Sequence, residues 1–183
     1  MYKKIDVITM GLDKVSNSPV VFLRIENTHI GLPIWIGACE ATYLALAINE
    51  QKTPRPLTHD LLLNILENEG YFLKKIEINN MENDIYYSNI FLEKDGSEIV
   101  IDSRPSDALI LAVKSKVPIY VKDKLAIENG IDISFIPIED HDSENEENKR
   151  KEFKDFLENF DIDTIKKHFF DEGNETDESD DNK

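Results

Sequence analysis

The sequence predicts an α+β domain: a mixed, mostly antiparallel sheet of two three-stranded sets with flanking helices, followed by a C-terminal helical tail. Three observations lead there. Short β-rich runs recur between turn residues. Two of these groups are each followed by an apolar pattern of helical period. The composition then changes sharply after Pro137.

The first set begins at residues 5–8, Ile-Asp-Val-Ile. Ser16-Asn17-Ser18-Pro19 is turn chemistry, residues 20–25 are β-rich, and residues 31–36 run extended again after Asn27-Thr28. Within residues 34–36, Trp35 alternates with Ile34 and Ile36 and is expected to pack. A helix follows, with Ala41, Leu44, Ala45 and Ile48 on one face. After the loop 52–56, residues 57–69 read as a second helix with Leu61, Leu62, Ile65 and Leu66 on its apolar side and Gly70 as its stop.

The second set comprises residues 71–78, 85–93 and 98–102, with a polar turn at 79–84. Asp95-Gly96 is a strong hairpin signal between the last two. Residues 105–116 read as a helix, 118–121 as a short strand, and 123–129 as a short helix stopped by Gly130. The two halves look alike. Glu40-Ala41 and Asp107-Ala108 each open a helix after three strands, which suggests an internal repeat.

Charge and composition bound the function. The 183 residues suit one domain, 1–138, with an appendage. The net charge is −16, and residues 139–183 hold 18 acidic against 7 basic side chains. Residues 139–151 read as an acidic linker and 171–183 as a disordered tail. Between them, 152–170 form an amphipathic segment with Phe153, Phe156, Leu157 and Phe160 at i, i+3, i+4 and i+7. That stripe either docks onto the domain or binds a protein partner. Overall acidity argues against a broad nucleic-acid footprint but leaves room for a local phosphate site. A lone cysteine, Cys39, excludes an internal disulfide and a cysteine-based zinc site. No apolar run is long enough to span a membrane and no signal-peptide pattern is present, so the expected location is cytoplasmic. Phosphate-loop, dinucleotide, zinc-protease and serine-hydrolase signatures are missing.

Two Arg-Pro turns carry the candidate chemistry. Only three arginines precede residue 139, and two of them, Arg55 and Arg104, stand immediately before proline at a helix start. The proline pushes each arginine out of helical conformation and itself suits the first helical turn. Thr58 and Ser106 are expected to cap free amides there. A helix N-terminus beside a guanidinium suits an anion such as phosphate. Asp60, Asp102 and Asp107 crowd the same turns. They either hold Mg2+ or Mn2+ between protein and phosphate, or serve structurally. In the structural reading, Asp60 and Asp107 complement the helix dipole and Asp102 pairs with Arg104 or Arg55. His59 is either a general base or a polar cap residue. Glu40 reads as another first-turn acid.

Ile34-Trp35-Ile36-Gly37-x-x-Glu40-Ala41, residues 54–61 (Pro-Arg-Pro-Leu-Thr-His-Asp-Leu) and residues 101–108 (Ile-Asp-Ser-Arg-Pro-Ser-Asp-Ala) together resemble the bifunctional nuclease domain family over about residues 3–135. Pro118-Ile119-Tyr120-Val121 fits the family's next strand, Ser103 stands where alanine is common, and the Phe153–Phe160 stripe resembles a segment that often follows this domain in bacterial members. The resemblance implies an α+β fold with a mixed sheet, a homo-oligomer, and hydrolysis of RNA and DNA. It supplies no settled catalytic set. The roles expected from the residues are therefore phosphate binding by Arg55 and Arg104 with Thr58 and Ser106, metal holding by Asp60, Asp102 and Asp107, and proton transfer by His59. The alternative is a non-enzymatic regulatory module that binds an anion or a protein through the same turns.

Overall fold

The computed structural model describes residues 1–13 and 16–134, which fall in one unit, Met1–Ser143. The expectations for 139–151, 152–170 and 171–183 lie outside the described residues.

Among the described residues, eight strands form one sheet: β1 (Tyr2–Asp13), β2 (Ser18–Ile25), β3 (Ile30–Trp35), β4 (Phe72–Glu82), β5 (Ile85–Lys94), β6 (Ser97–Ser103), β7 (Ile119–Lys122) and β8 (Ile131–Asp132). Their order is β6-β5-β4-β7-β1-β2-β3-β8. All pairings are antiparallel except β4 with β7. The architecture is therefore α+β, with a mixed, mostly antiparallel sheet. The two expected three-stranded sets are meanders, β1-β2-β3 and β4-β5-β6. They are joined because β7 lies between β1 and β4.

β1 makes that join by splitting its length. Tyr2–Lys4 pairs with β7, whereas Ile5–Asp13 pairs with β2 across an irregularity between Ile5 and Val7. The hairpins are tight. Asn83-Asp84 and Asp95-Gly96 all take positive φ, as two-residue turns between twisted strands demand. The first of these turns is shorter than expected, since β4 runs on to Glu82 instead of ending at Ile78.

Among the described residues, four helices accompany the sheet: α1 (Ala38–Ile48), α2 (Thr58–Asn68), α3 (Pro105–Ser115) and α4 (Asp123–Asn129). α3 is the most buried, with Ala108, Leu109, Ile110, Leu111 and Ala112 all inside. It packs against α1, α2, β4 and β5. One core runs through both meanders and includes Val21, Leu23, Leu32, Leu44, Ile76, Ile78, Leu92 and Val121.

Three expectations change. On α2 the inward stripe is His59, Leu63 and Leu66, while Leu61, Leu62 and Ile65 face outward. The local apolar count alone could not choose between two overlapping faces of this leucine-rich helix. Trp35 is not packed. It is 55% exposed, because it ends β3, and its indole N–H donates to Asp13 Oδ2 at 3.1 Å. The helix after residue 123 ends at Gly130 as expected, but the chain then forms β8 against β3. A Cβ on Gly130 would lie 2.3 Å from the Ala126 carbonyl oxygen, so only glycine fits that exit.

Candidate functional site at three joined helix N-termini

The candidate residues converge because three helices begin near one another. Glu40, Asp60 and Asp107 are each the third residue of their helix, in α1, α2 and α3. An acid there complements the free amides and the positive end of the helix dipole. The likeness between Glu40-Ala41 and Asp107-Ala108 thus corresponds to equal helical positions on packed helices.

Arg104 joins two of these ends. It is the extended residue before α3 (φ −67°, ψ 143°), as its place before Pro105 requires. Its Nε and Nη2 donate to Asp107 Oδ2 and Oδ1 at 2.7 and 3.1 Å. Its Nη1 lies 2.9 Å from Glu40 Oε1. The Arg104 side chain stays 65% exposed, whereas that of Glu40 is 17% exposed. Glu40 folds back over the start of α1, where a Cβ on Gly37 would collide with its Oε2. Glycine at the N-cap is what leaves that carboxylate room.

His59 joins the third end. Its Nε2 lies 3.2 Å from Asp107 Oδ1, and its ring meets Tyr43 edge-on at 5.7 Å. His59 Nδ1 is buried with no partner among the described residues. One ring nitrogen is engaged and the other enclosed, so His59 holds Asp107 in place and presents no open nitrogen to a ligand. Burial pushes the Asp107 carboxyl upward, but hydrogen bonds from Arg104 and His59 outweigh it and hold it below the ordinary carboxylate range.

Asp60 belongs to a separate pair. Lys114 Nζ donates to its Oδ1 at 2.7 Å, and the Leu57 amide donates to its Oδ2 at 2.9 Å. The Lys114 bond is the larger cause that holds Asp60 below the ordinary range. Asp107 and Lys114 are seven residues apart on one face of α3, so α2 is fastened to α3 at two points two turns apart.

The other candidates stand apart. Arg55 is exposed in the loop before α2, and its carbonyl accepts from Thr53 Oγ1 at 2.7 Å. Asp102 is exposed on β6 opposite Asn89 and pairs with neither arginine among the described residues. Thr58 and Ser106 do not cap. The N-cap positions belong to Leu57 and Arg104, and no side-chain cap bond forms at either. Thr58 is exposed as the first residue of α2, and Ser106 is buried as the second of α3. Asp60, Asp102 and Asp107 do not gather: among the described residues no three His, Cys, Asp or Glu side chains form a group that could hold a metal ion. A cleft of about 480 Å³ opens elsewhere, where β1 leaves β7, lined by Lys4, Asp6, Lys116 and neighbouring apolar residues.

Reasoning from the sequence missed two partners. Glu40 was readable as a first-turn acid but not as a ligand of Arg104. Lys114 carried no local signal, since its partner lies 54 residues away.

The bifunctional nuclease domain model matches residues 21–134. The chain belongs to the bifunctional nuclease domain family. An uncharacterized protein of Mycobacterium tuberculosis is 31% identical over 163 residues, which cover 89% of this chain and 98% of that protein. Bifunctional nuclease 1 of Oryza sativa subsp. japonica is 31% identical over 124 residues, covering 66% of this chain and 38% of that protein. Bifunctional nuclease 2 of the same rice is 35% identical over 117 residues, covering 62% and 36%. The family's match thus contains Glu40, both Arg-Pro turns and all three aspartates. No helix among the described residues is long and apolar enough to cross a membrane.

Proposed function

We propose that this chain is a nuclease that hydrolyses phosphodiester bonds of RNA or DNA at the joined N-termini of α1, α2 and α3. The observation that carries this reading is the Arg104 guanidinium. It is largely exposed at the start of a helix, in a family whose rice members are named nucleases. A phosphate that approaches there meets a planar fork of donors and unpaired helix amides.

Arg104 exchanges part of its carboxylate pairing for the phosphate. Asp107, held by His59, then accepts a hydrogen bond from the attacking water and orients it. Because its carboxyl is a weak base, this is chiefly orientation, and the proton leaves with water. Arg55 and Thr58, exposed beside the start of α2, meet a neighbouring phosphate of the same strand. His59 acts as a positioning residue. Mg2+ or Mn2+ would suit the phosphate chemistry, but among the described residues Asp60, Asp102 and Asp107 do not form one ligand set. Cytoplasmic location is part of this proposal.

The test is purified full-length protein on single-stranded RNA and DNA, with Mg2+, with Mn2+ and with chelator. Arg104→Ala is expected to lower kcat/KM by about 100-fold, the scale of losing a charged contact to the reacting group. Undiminished turnover in Asp102→Asn with Arg104→Ala together would sink the assignment of the second turn.

A second reading has its own observation: each charged group of the joined N-termini is already paired. In that reading the turns lock the helices together and bind an anion or protein without turnover. Phosphate binding by calorimetry with no cleavage under any metal condition would favour it.

A further inference from the structure

Trp35 has no part in the chemistry described above, yet its side chain is both exposed and fixed. It is 55% exposed at the last residue of β3, and its indole N–H donates to Asp13 Oδ2 at 3.1 Å. Asp13 ends β1, and the same oxygen accepts from Ser16 Oγ at 2.8 Å, so the acceptor is itself held. An unrestrained surface tryptophan would share its time among several rotamers. This one is bound at its far edge to a residue 22 positions away.

The strand order sets how the ring lies. β2 runs between β1 and β3. Neighbouring strands are about 4.8 Å apart, so a bond from β3 to β1 bridges about 10 Å. The indole must therefore lie across β2. Val20 pairs with Trp35 and Ser18 pairs with Asp13, and cross-strand partners share a face. The alternate residues Val21 and Ile34 enter the core from the other face. Val20 is nonetheless only 4% exposed, as a residue beneath the ring would be. One side of the indole thus lies on the sheet and the other is turned to solvent.

This flat surface stands beside the joined helix N-termini. Gly37, the N-cap of α1, is two residues beyond Trp35, roughly 7 Å of extended chain. Glu40 folds back against Gly37, and Arg104 Nη1 lies 2.9 Å from Glu40 Oε1. That separation is well inside the roughly 4–16 nucleotides that a single-strand site covers.

We propose that Trp35 is the base-binding residue of this site, stacking an unpaired nucleobase while Arg104 holds a phosphate of the same strand. This rests on the nuclease reading above and narrows its substrate to single strands, because a base inside a duplex has no free face to offer. The contact suits an acidic chain. A net charge of −16 leaves no broad cationic track, and stacking adds affinity without charge. An indole already pinned at its edge loses little freedom on binding. Every base has a π-face, so the contact tolerates any sequence and accepts RNA and DNA alike.

Trp35 is the single tryptophan of the chain, so its fluorescence reports this contact directly. The probe is a single-stranded DNA of about ten nucleotides, within the usual site size. It is titrated into full-length protein with chelator and again with Mg2+, and the anisotropy of a dye on the probe records binding independently. Binding is expected to quench Trp35, whereas an abasic strand of equal length and inorganic phosphate leave it bright. Trp35→Ala should lower affinity roughly 5- to 150-fold, the range for one base–aromatic stack, and Trp35→Phe should lose less. Asp13→Ala keeps the tryptophan but frees its edge, and should weaken binding by less than Trp35→Ala. Binding that leaves Trp35 fluorescence unchanged overturns the proposal. So does a Trp35→Ala protein that binds like wild type, or a duplex bound as tightly as the single strand. Failure of the nuclease reading looks different: the strand binds and quenches Trp35 but is never cut with Mg2+ or Mn2+. A strand that does not bind at all sinks both.

Discussion

β3 and β6 hold the same place in the two meanders, each the third strand before a helix that starts with an acid at its third position. Their surroundings differ. β3 has four consecutive buried residues, from Gly31 to Ile34, whereas β6 is exposed from Ser97 to Asp102. The cause lies in the chain that follows α4. Ile131 pairs with Gly31, and the fully buried Ile133 lies so close over Gly31 that an added Cβ would sit 2.7 Å from it. Among the described residues, the first meander thus receives an eighth strand and a cover that the second lacks. Equivalent strands can end in different surroundings within one sheet.

The sharpest break of this comparison is a truncation at matched depth. Leu32→Ala in β3 is expected to cost about 2–5 kcal/mol, the range for a fully buried leucine. Ile101→Ala in β6 should cost about 1 kcal/mol or less in dilute protein, since the side chain is already partly in water. Urea unfolding of each variant against the wild type measures both. Equal losses would mean that β6 is not the unfinished edge its exposure indicates.

Gly31 offers a finer instrument. Gly31→Ala forces Ile133 aside and should cost about 1–3 kcal/mol, the usual range for overpacking. Its signature is local: faster exchange at the Ile133 amide, which donates to the His29 carbonyl at 2.9 Å. If the cover over β3 is what distinguishes the two strands, Gly31→Ala makes β3 behave more like β6. Unchanged protection at Ile133 would deny that.

How much of this was legible follows from the range of each interaction. The Asp95-Gly96 hairpin, the Gly70 stop and the Arg104-Pro105 helix start are set by neighbours in sequence, and each stands where its local chemistry predicts, whereas Pro56 lies before the Leu57 N-cap, outside the first turn of α2. The same holds for the meanders, which are chains of hairpins and turns. β8 was not legible. Two residues carry no period, and Ile131-Asp132 becomes a strand only because β3 is beside it. The site divides in the same way. Glu40, Asp60 and Asp107 could be read as first-turn acids, but their partners could not. His59 meets Asp107 across 48 residues and Lys114 meets Asp60 across 54. Local pattern also mistook exposed Thr58 and buried Ser106 for caps, because it did not resolve where each helix begins.

The acids at the helix starts sharpen the comparison between halves through pH. The Asp107 carboxyl is held below its ordinary 3.8, chiefly by Arg104 and His59 against the opposing effect of burial. Its contribution is fully present above the unfolded value and is lost as pH falls through the lowered folded value. Asp107→Asn should cost about 1–2 kcal/mol at pH 7, as loss of charged hydrogen bonds does. The gap between wild type and Asp107→Asn should narrow as pH drops below about 4, the ordinary carboxylate range. A gap that stays constant from pH 7 to pH 3 would show that the ionised carboxylate is not what joins α3 to α2.

The smallest effect separates two lysines at the end of α3. Lys114 is mostly buried and holds Asp60 at 2.7 Å, while Lys116 reaches Glu50 at the same distance with both side chains largely in solvent. Equal lengths do not mean equal strength. The exposed pair is screened by water and salt and gives up side-chain freedom to form. Lys114→Met should therefore cost about 1 kcal/mol, because it leaves Asp60 with only the Leu57 amide. Lys116→Met should leave the unfolding midpoint where it was. Raising the salt concentration supplies the second axis. It should erode little of the Lys114 effect, since that pair fastens α2 to α3 out of the reach of most counterions. Equal losses for the two substitutions at low salt would mean that burial does not decide which pair holds the helix.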